Sequence, residues 1–148
     1  MDQILLAPLV AELFAAIKLL AGYPPPTVPP EIHLVPQSVI QEEFCGGRCP
    51  IRALYDPTRG VFIDETLDVV NDPFARSILL HELVHHVQAV SGRFDSTSSP
   101  CIRYNKAEAE AYLIQNYYLM SINDGHRVAM SGWAMRCSES EVPTSNKL

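Results

Sequence analysis

The stretch DPFARSILLHELVHHVQAVSG, residues 72–92, carries the strongest structural signal in the sequence. Asp72 followed by Pro73 is typical of a helix start, because aspartate caps free backbone N–H groups and proline suits the first helical position. Gly92 is typical of a helix end, since glycine readily adopts the left-handed conformation that closes a helix. We therefore predict a helix from about residue 74 to residue 91. Its apolar residues can be buried in a core: Ile78, Leu79, Val84, Val87 and Val90.

The motif His81-Glu82-Leu83-Val84-His85 lies in the middle of this helix. Residues four apart project from one helix face, so the two imidazoles can reach a single ion with Zn–N distances of about 2.0–2.1 Å. Glu82 lies about 100° around the helix from His81 and can instead accept a proton from a water on the open side of the metal. A shuffled chain with the same five histidines would contain such a motif about 0.01 times, so the pattern indicates a zinc site rather than chance.

Two acidic residues on a later predicted helix are candidates for the third protein ligand that a catalytic zinc needs. The extended motif with a third histidine does not continue here, since Gln88 and Ser91 occupy its glycine and histidine positions. Glu108 and Glu110 project about 200° apart on their helix, so only one of them can face the histidine pair. Helical periodicity does not choose between them.

The motif at residues 81–85, followed by Glu108-Ala109-Glu110-Ala111, resembles the gluzincin metallopeptidases, whose third zinc ligand often belongs to an E-x-x-A segment on a later helix. The resemblance covers about residues 51–120, and HELVHH is also similar to uncharacterised bacterial proteins of this type. It implies a minimal zincin-like domain in which the predicted hairpin belongs to the substrate-side sheet.

The resemblance also implies the roles of individual residues. Glu82 would be the general base of a peptidase. Many members of the family carry Asp or Asn after the alanine of the E-x-x-A segment, where this chain has Tyr112, so Glu110 stays open as the alternative third ligand. The implied ligands of Zn²⁺ are His81, His85 and Glu108.

Three further side chains are candidates for stabilising an oxyanion or for supporting a ligand: Tyr104, Tyr112 and His126. His86 projects about 100° away from His85, so we expect it outside the metal site. If the strand at residues 61–64 is the sheet edge beside the cleft, an extended peptide could add to it as a further strand.

These residues predict a metallopeptidase that acts on a peptide or protein substrate. Two alternatives stay open, a zinc-binding interaction protein without turnover and a hydrolase of a non-protein amide or a cell-wall peptide, because the motif defines water activation and not the acyl group. A disulfide-braced structural protein with an accidental motif is a third alternative, and it would bind no stoichiometric metal.

The composition is that of a globular protein. The chain has 148 residues, 47% hydrophobic and 19% charged, which suits a single domain over residues 1–148 and excludes a disordered chain. A net charge of −6 without any cluster of Lys and Arg argues against a nucleic-acid partner. Strand and helix patterns are segregated along the chain, which predicts an α+β fold.

The remaining elements are predicted from periodicity and turn residues. Apolar residues at helical spacing indicate an N-terminal helix within residues 1–22, and five prolines make residues 23–30 an extended connector. The other predicted elements are a strand at 31–35, a short helix at 37–43, a hairpin of strands at 51–55 and 61–64, a helix at 106–122 capped by Asn105, a helix at 128–137 and a flexible tail at 142–148.

Four cysteines predict two disulfides, because their spacing lacks the paired C-x₂-C units of a zinc knuckle. Proximity in sequence favours a Cys45–Cys49 bridge, which leaves Cys101 to pair with Cys137. Disulfides indicate an oxidising compartment, so we expect an exported protein, periplasmic or secreted, whose signal peptide is not part of this sequence. Two charged residues interrupt the apolar N-terminal stretch, which argues against a membrane span.

Overall fold

The computed structural model describes residues 3–129 and 136–138, with side chains described from Leu6 onward. Helices and a three-stranded sheet are both present, which confirms the α+β class. The elements in chain order are α1 (Gln3–Ala21), β1 (Ile32–Val35), α2 (Gln37–Ile40) with a π-helical continuation (Gln41–Cys45), β2 (Ala53–Asp56), β3 (Gly60–Asp64), α3 (Pro73–Ser91) and α4 (Pro100–Ser121).

Helix α3 begins and ends where its sequence signals predict. The Asp72 side chain accepts a hydrogen bond from the backbone N–H of Phe74 at 2.9 Å, and Gly92 closes the helix with a φ of 68°. The middle of the helix is the part that is buried, including Leu79, Val84 and Val87. The prediction for Val90 is wrong, since this side chain is 64% exposed at the last turn, which extends beyond the core.

The sheet has the order β1-β3-β2, so β3 is its central strand. β3 runs parallel to β1 and antiparallel to β2, and all five of its residues are buried. The condition for strand addition at residues 61–64 is therefore not met, since this strand is not an edge. β1 precedes the hairpin in sequence and covers the side of β3 that the hairpin leaves free, so the edge beside α3 belongs to β2.

Helix α1 packs against α3 and α4 and completes the core. Its buried residues recur at helical spacing, as predicted: Leu6, Val10, Leu13, Phe14 and Ile17. They meet a cluster of apolar side chains from the sheet and from α3, which includes Ile63, Leu80 and Leu83. Burial of each such side chain is worth about 1.5–3 kcal/mol, so this layer supplies much of the stability that holds α3 in place.

Helix α4 begins six residues earlier than predicted. Its N-cap is Ser99, whose hydroxyl accepts a hydrogen bond from the N–H of Ile102 at 3.2 Å, and Pro100 occupies the first turn. This is the same start signal as Asp72-Pro73, hidden at the end of a serine-rich loop. The predicted cap Asn105 is instead a residue of the helix, and Tyr104 gains a fixed position one turn before Glu108.

Both predicted disulfides are present. Cys45–Cys49 closes the loop after the π-helical segment, and Cys101–Cys137 ties the first turn of α4 to the C-terminal region. The predicted helix at 128–137 is not observed at residues 128–129 or 136–137, and its remainder and the tail at 142–148 lie outside the described residues. Within 3–129 and 136–138, no helix has the length and apolarity of a membrane span.

Gly60 starts β3 where only a glycine fits. Its φ is +103°, and a Cβ there would clash with the carbonyl oxygen of Glu31 and lie 3.1 Å from the carbonyl carbon. We predict that Gly60→Ala lowers the free energy of unfolding by at least about 3 kcal/mol. The matched control is Gly22→Ala, which also has a positive φ of +81° but meets nothing within 4 Å and should cost only about 1–2 kcal/mol. Equal losses in urea titrations would contradict the steric explanation.

Asp64 ends β3 as a buried carboxylate held by donors. It accepts hydrogen bonds from the N–H and hydroxyl of Thr66 at 2.9 and 2.8 Å and pairs with Arg52 at 3.0 Å. Burial alone would raise the pKa of Asp64, but these donors lower it below its ordinary value. Because the folded-state pKa is the lower one, this stabilisation is complete above about pH 4 and is lost as pH falls through the folded-state pKa.

We therefore predict that Asp64→Asn costs about 1–3 kcal/mol at pH 7 and less at pH 3. Urea unfolding of the wild type and the variant at both pH values measures the difference. A cost that is the same at pH 7 and pH 3 would show that the charge of Asp64 does not contribute.

Candidate metal centre

Three side chains from two helices converge on one point. His81 and His85 lie one turn apart on α3 with their Nε2 atoms 3.2 Å from each other. Glu108, on α4, brings its Oε1 atom to 3.4 Å from the Nε2 of His81 and into direct contact with the Nε2 of His85. All three side chains are at most 15% exposed.

This geometry fits a zinc ion. Two imidazole nitrogens and a carboxylate oxygen are a donor set typical of catalytic zinc sites. Ligand atoms about 2.0–2.1 Å from a tetrahedral zinc lie about 3.3–3.4 Å from one another. The separations of 3.2 Å between the histidines and 3.4 Å between His81 and Glu108 are close to that value. The Nε2 of His85 and the Oε1 of Glu108 are in direct contact and would have to move apart for the three side chains to hold the ion.

The two candidate glutamates have separate positions. Glu108 meets both histidines, whereas Glu110 faces Tyr23, Gln88 and Arg93. Among the described residues, the only group of three or more His, Cys, Asp or Glu side chains that could share an ion is His81, His85 and Glu108. The geometry therefore favours Glu108 as the third ligand and gives Glu110 a different environment.

Each histidine has its second ring nitrogen bound to a glutamine. The Nδ1 atom of His81 donates to the Oε1 of Gln115 at 3.0 Å, and that of His85 donates to the Oε1 of Gln88 at 2.9 Å. Such contacts fix the ring orientation and leave Nε2 as the atom that faces a metal. Both glutamines are buried, and they join α3 to α4 at the level of the site.

Glu82 is buried next to the pair and faces the same cleft. Burial raises the pKa of Glu82, an effect strengthened by Glu108 and opposed by the two histidines and a hydrogen bond from the backbone N–H of Tyr55. A carboxylate with a raised pKa is suited to accept and return a proton near neutral pH. This is the environment that the predicted general base requires.

The ligand group itself attracts positive charge. Burial lowers the pKa of His85, but the hydrogen bond with Glu108 and the charges of Glu82 and Glu108 raise it to about 9. Burial raises the pKa of Glu108, but hydrogen bonds from His81 and His85 lower it to about 2. Two carboxylates and two imidazoles thus share a partly desolvated space, which is the electrostatic setting that a divalent cation would stabilise.

The site lies in a cleft of about 980 Å³ between α3, α4 and the edge strand β2. The carbonyl of Arg52 accepts a hydrogen bond from the N–H of Asp64 at 2.8 Å. In an antiparallel pair, the backbone N–H and C=O groups of Arg52 and of every second residue after it therefore point toward β3. Ala53 and Tyr55 therefore direct their backbone groups to the outer edge, where the N–H of Tyr55 already bonds Glu82. A separate apolar cavity of about 350 Å³, between α1 and the proline-rich connector, is lined by no ionisable side chain.

Of the three side chains predicted to stabilise an oxyanion or support a ligand, two lie beside the histidine pair and one does not. Tyr112 lies with its ring 4.4 Å from that of His81, and Tyr104 lines the cleft one turn before Glu108. Burial, with Glu108 and Glu82, raises the pKa of Tyr112 to about 12, so its hydroxyl keeps its proton. His126 is 68% exposed and contacts Asp124 and Phe74, and it does not join the histidine pair.

His86 faces away from the site, as the helix geometry predicts. Its Nδ1 atom lies 3.1 Å from the hydroxyl of Tyr55, and its ring packs near Phe14 of α1. Sequence reasoning missed that Tyr55 has two roles, a hydroxyl on His86 and an N–H on Glu82. It also missed the Cys45–Cys49 loop and Phe94 as cleft walls, because only the folded chain brings them opposite the motif.

Comparisons with known proteins give a family and no further relatives. No curated protein and no solved structure shows significant similarity to this chain. The family described as Domain of unknown function (DUF6647) matches residues 5–142, which is nearly the whole sequence. The chain therefore belongs to the DUF6647 family.

Proposed function

We propose that the protein is a zinc metallopeptidase of the gluzincin type, with Glu82 as its general base. The observation that carries the proposal is the convergence of three zinc-type donor atoms beside a buried carboxylate on the wall of an open cleft. Three protein ligands leave the fourth position of a tetrahedral zinc free, which is the arrangement of catalytic sites and not of closed structural ones. The resemblance of residues 51–120 to gluzincins supports the same assignment.

Each side chain has a definable part in such a reaction. Zinc would supply a Lewis acid that acidifies water and polarises a carbonyl group. Glu82 would take the proton of the attacking water and return it to the leaving amine, a transfer that its raised pKa favours. Tyr104 and Tyr112 would offer hydroxyl groups to a developing oxyanion, since both line the cleft.

The edge of β2 suits an extended peptide as substrate. The outward backbone groups of Ala53 and the carbonyl of Tyr55 can pair with a peptide backbone, as strand addition requires. Along α3 the cleft is lined from Phe74 to Ala89, about 22 Å at ~1.5 Å per residue, with the histidine pair near the middle. About six extended residues fill that length, so we propose cleavage of internal peptide bonds.

We propose an exported protein on the basis of its disulfides. Two disulfides in a chain of this size are compatible with an extracellular location, because cytosolic thiols are kept reduced. Peptides of the cell surface or of the surrounding medium would then be the accessible substrates.

The zinc content of two alanine variants tests which of the two glutamates is the third ligand. At saturating zinc we predict one bound ion in the wild type, none in Glu108→Ala and one in Glu110→Ala, because only Glu108 contacts both histidines. Equilibrium dialysis against saturating free zinc, followed by atomic absorption, measures the stoichiometry, and Glu110→Ala is the matched control. Loss of zinc in Glu110→Ala alone would assign the third ligand to Glu110, and a wild type without zinc would refute the proposed function.

Substitution of the general base separates catalysis from metal binding. We predict that Glu82→Gln keeps its zinc and loses about 10²–10⁴-fold in turnover of internally quenched peptides, because the amide cannot accept the proton. Glu31→Gln, at an exposed residue that does not line the cleft, is the control and should keep full activity.

Three outcomes of this experiment would contradict the proposal. Full activity in Glu82→Gln would remove Glu82 from the role of base. Zinc binding without Glu82-dependent cleavage of any peptide would identify a binding protein, whereas cleavage restricted to cell-wall peptides or small amides would identify a different hydrolase.

A further inference from the structure

Glu110 lies at the centre of a network that reaches one of the proposed zinc ligands. Its Oε1 atom accepts from the hydroxyl of Tyr23 in a direct contact and from the Nε2 of Gln88 at 3.1 Å. Its Oε2 atom pairs with Arg93 at 3.6 Å. Gln88 in turn contacts His85, so two hydrogen bonds connect a carboxylate that is not a ligand to a ligand ring.

The direction of the hydrogen bonds in this network is determined by groups that can only accept them. The Nε2 of Gln88 faces two acceptors, the carbonyl of Ala107 at 3.0 Å and the carboxylate of Glu110 at 3.1 Å. The amide must therefore direct its NH₂ toward them and its oxygen toward the Nδ1 of His85. His85 is then the donor at Nδ1, and its Nε2 is left for Glu108 and for a metal.

We propose that Glu110 is a positioning residue that fixes the ring of His85 through the amide of Gln88. The inference rests on the proposed function, since it describes how the chain prepares a zinc ligand. It also explains why a second glutamate lies two residues after Glu108 without sharing the metal. The N-terminal region takes part, because the donor Tyr23 belongs to the segment that follows α1.

The other histidine offers an internal comparison. His81 donates to Gln115, and the Nε2 of Gln115 donates to the hydroxyl of Ser77 at 3.0 Å. Ser77 donates its own proton to the carbonyl of Phe74 at 2.6 Å, so a backbone acceptor sets the direction of this network. The Nδ1 atoms of the two histidines are thus held by separate networks, and a change at Glu110 should affect only the contact of His85 with Gln88.

Zinc affinity measured by competition with a chelator tests the proposal. Gln88→Ala should weaken zinc binding by about 10–100-fold, the usual effect of removing a group that orients a ligand histidine. Glu110→Ala should weaken it by up to the same factor, and Glu110→Gln should lie between Glu110→Ala and the wild type because its oxygen can still accept. The double variant Gln88→Ala/Glu110→Ala should be no weaker than Gln88→Ala alone, since both act through one contact.

A matched control removes another carboxylate that pairs with an arginine. Glu43 pairs with Arg59 at 3.2 Å on a different part of the surface, and Glu43→Ala should leave zinc affinity unchanged. Unaltered affinity in Glu110→Ala, or losses that add fully in the double variant, would overturn the proposal. Complete loss of zinc in Glu110→Ala would make Glu110 a ligand and would also overturn it.

A crystal structure of metal-free Glu110→Ala gives a readout that does not depend on zinc. We expect the Gln88 amide or the His85 ring to leave its wild-type position or to show a second conformer, while the His81–Gln115 contact is retained. An unchanged Gln88–His85 contact would contradict the positioning role. If the wild type bound no zinc, the proposed function would fail, and this comparison would still decide whether Glu110 orients His85.

Discussion

The contact between Glu108 and the two imidazoles is made across the interface of α3 and α4, so it requires these two helices to keep one spacing and one rotation. It brings a carboxylate to two nitrogens that already face each other. Without metal, the cluster places like-charged carboxylates and polar nitrogens in a partly desolvated space, which is costly unless positive charge is present. The apolar layer beneath it, contributed by α1 and the sheet, stabilises the two helices that carry these groups.

Much of the fold follows from local signals in the sequence. The Asp72-Pro73 start and Gly92 end of α3, the helical spacing in α1 and the turn before Gly60 each depend on neighbouring residues, and the structure has them where predicted. The position of β1 does not follow from neighbouring residues. This strand pairs with β3 across a long segment of chain that contains the disulfide loop. Local signals therefore do not reveal which strand is the edge of the sheet, nor the surface on which a peptide would lie.

The site shows the same division. The helical spacing of His81 and His85 is a local property, and their convergence could be predicted. The choice between Glu108 and Glu110 could not be predicted from the sequence, because it depends on the rotation of α4 about its own axis. That rotation is set by the packing of side chains such as Ala111 and Ile114 against the core and by the early start at Ser99. Tyr23 carries no signal of its own, since nothing in its neighbourhood indicates a contact 87 residues away.

Anomalous diffraction measured at the zinc absorption edge can decide whether His81, His85 and Glu108 bind one zinc ion, as we propose. We expect a single strong peak within about 2.0–2.2 Å of the Nε2 atoms of both histidines and of a Glu108 oxygen, with Glu82 close by and unligated. A crystal grown with excess zinc that showed no peak between the two rings, or a peak bound by Glu110 and not by Glu108, would contradict it.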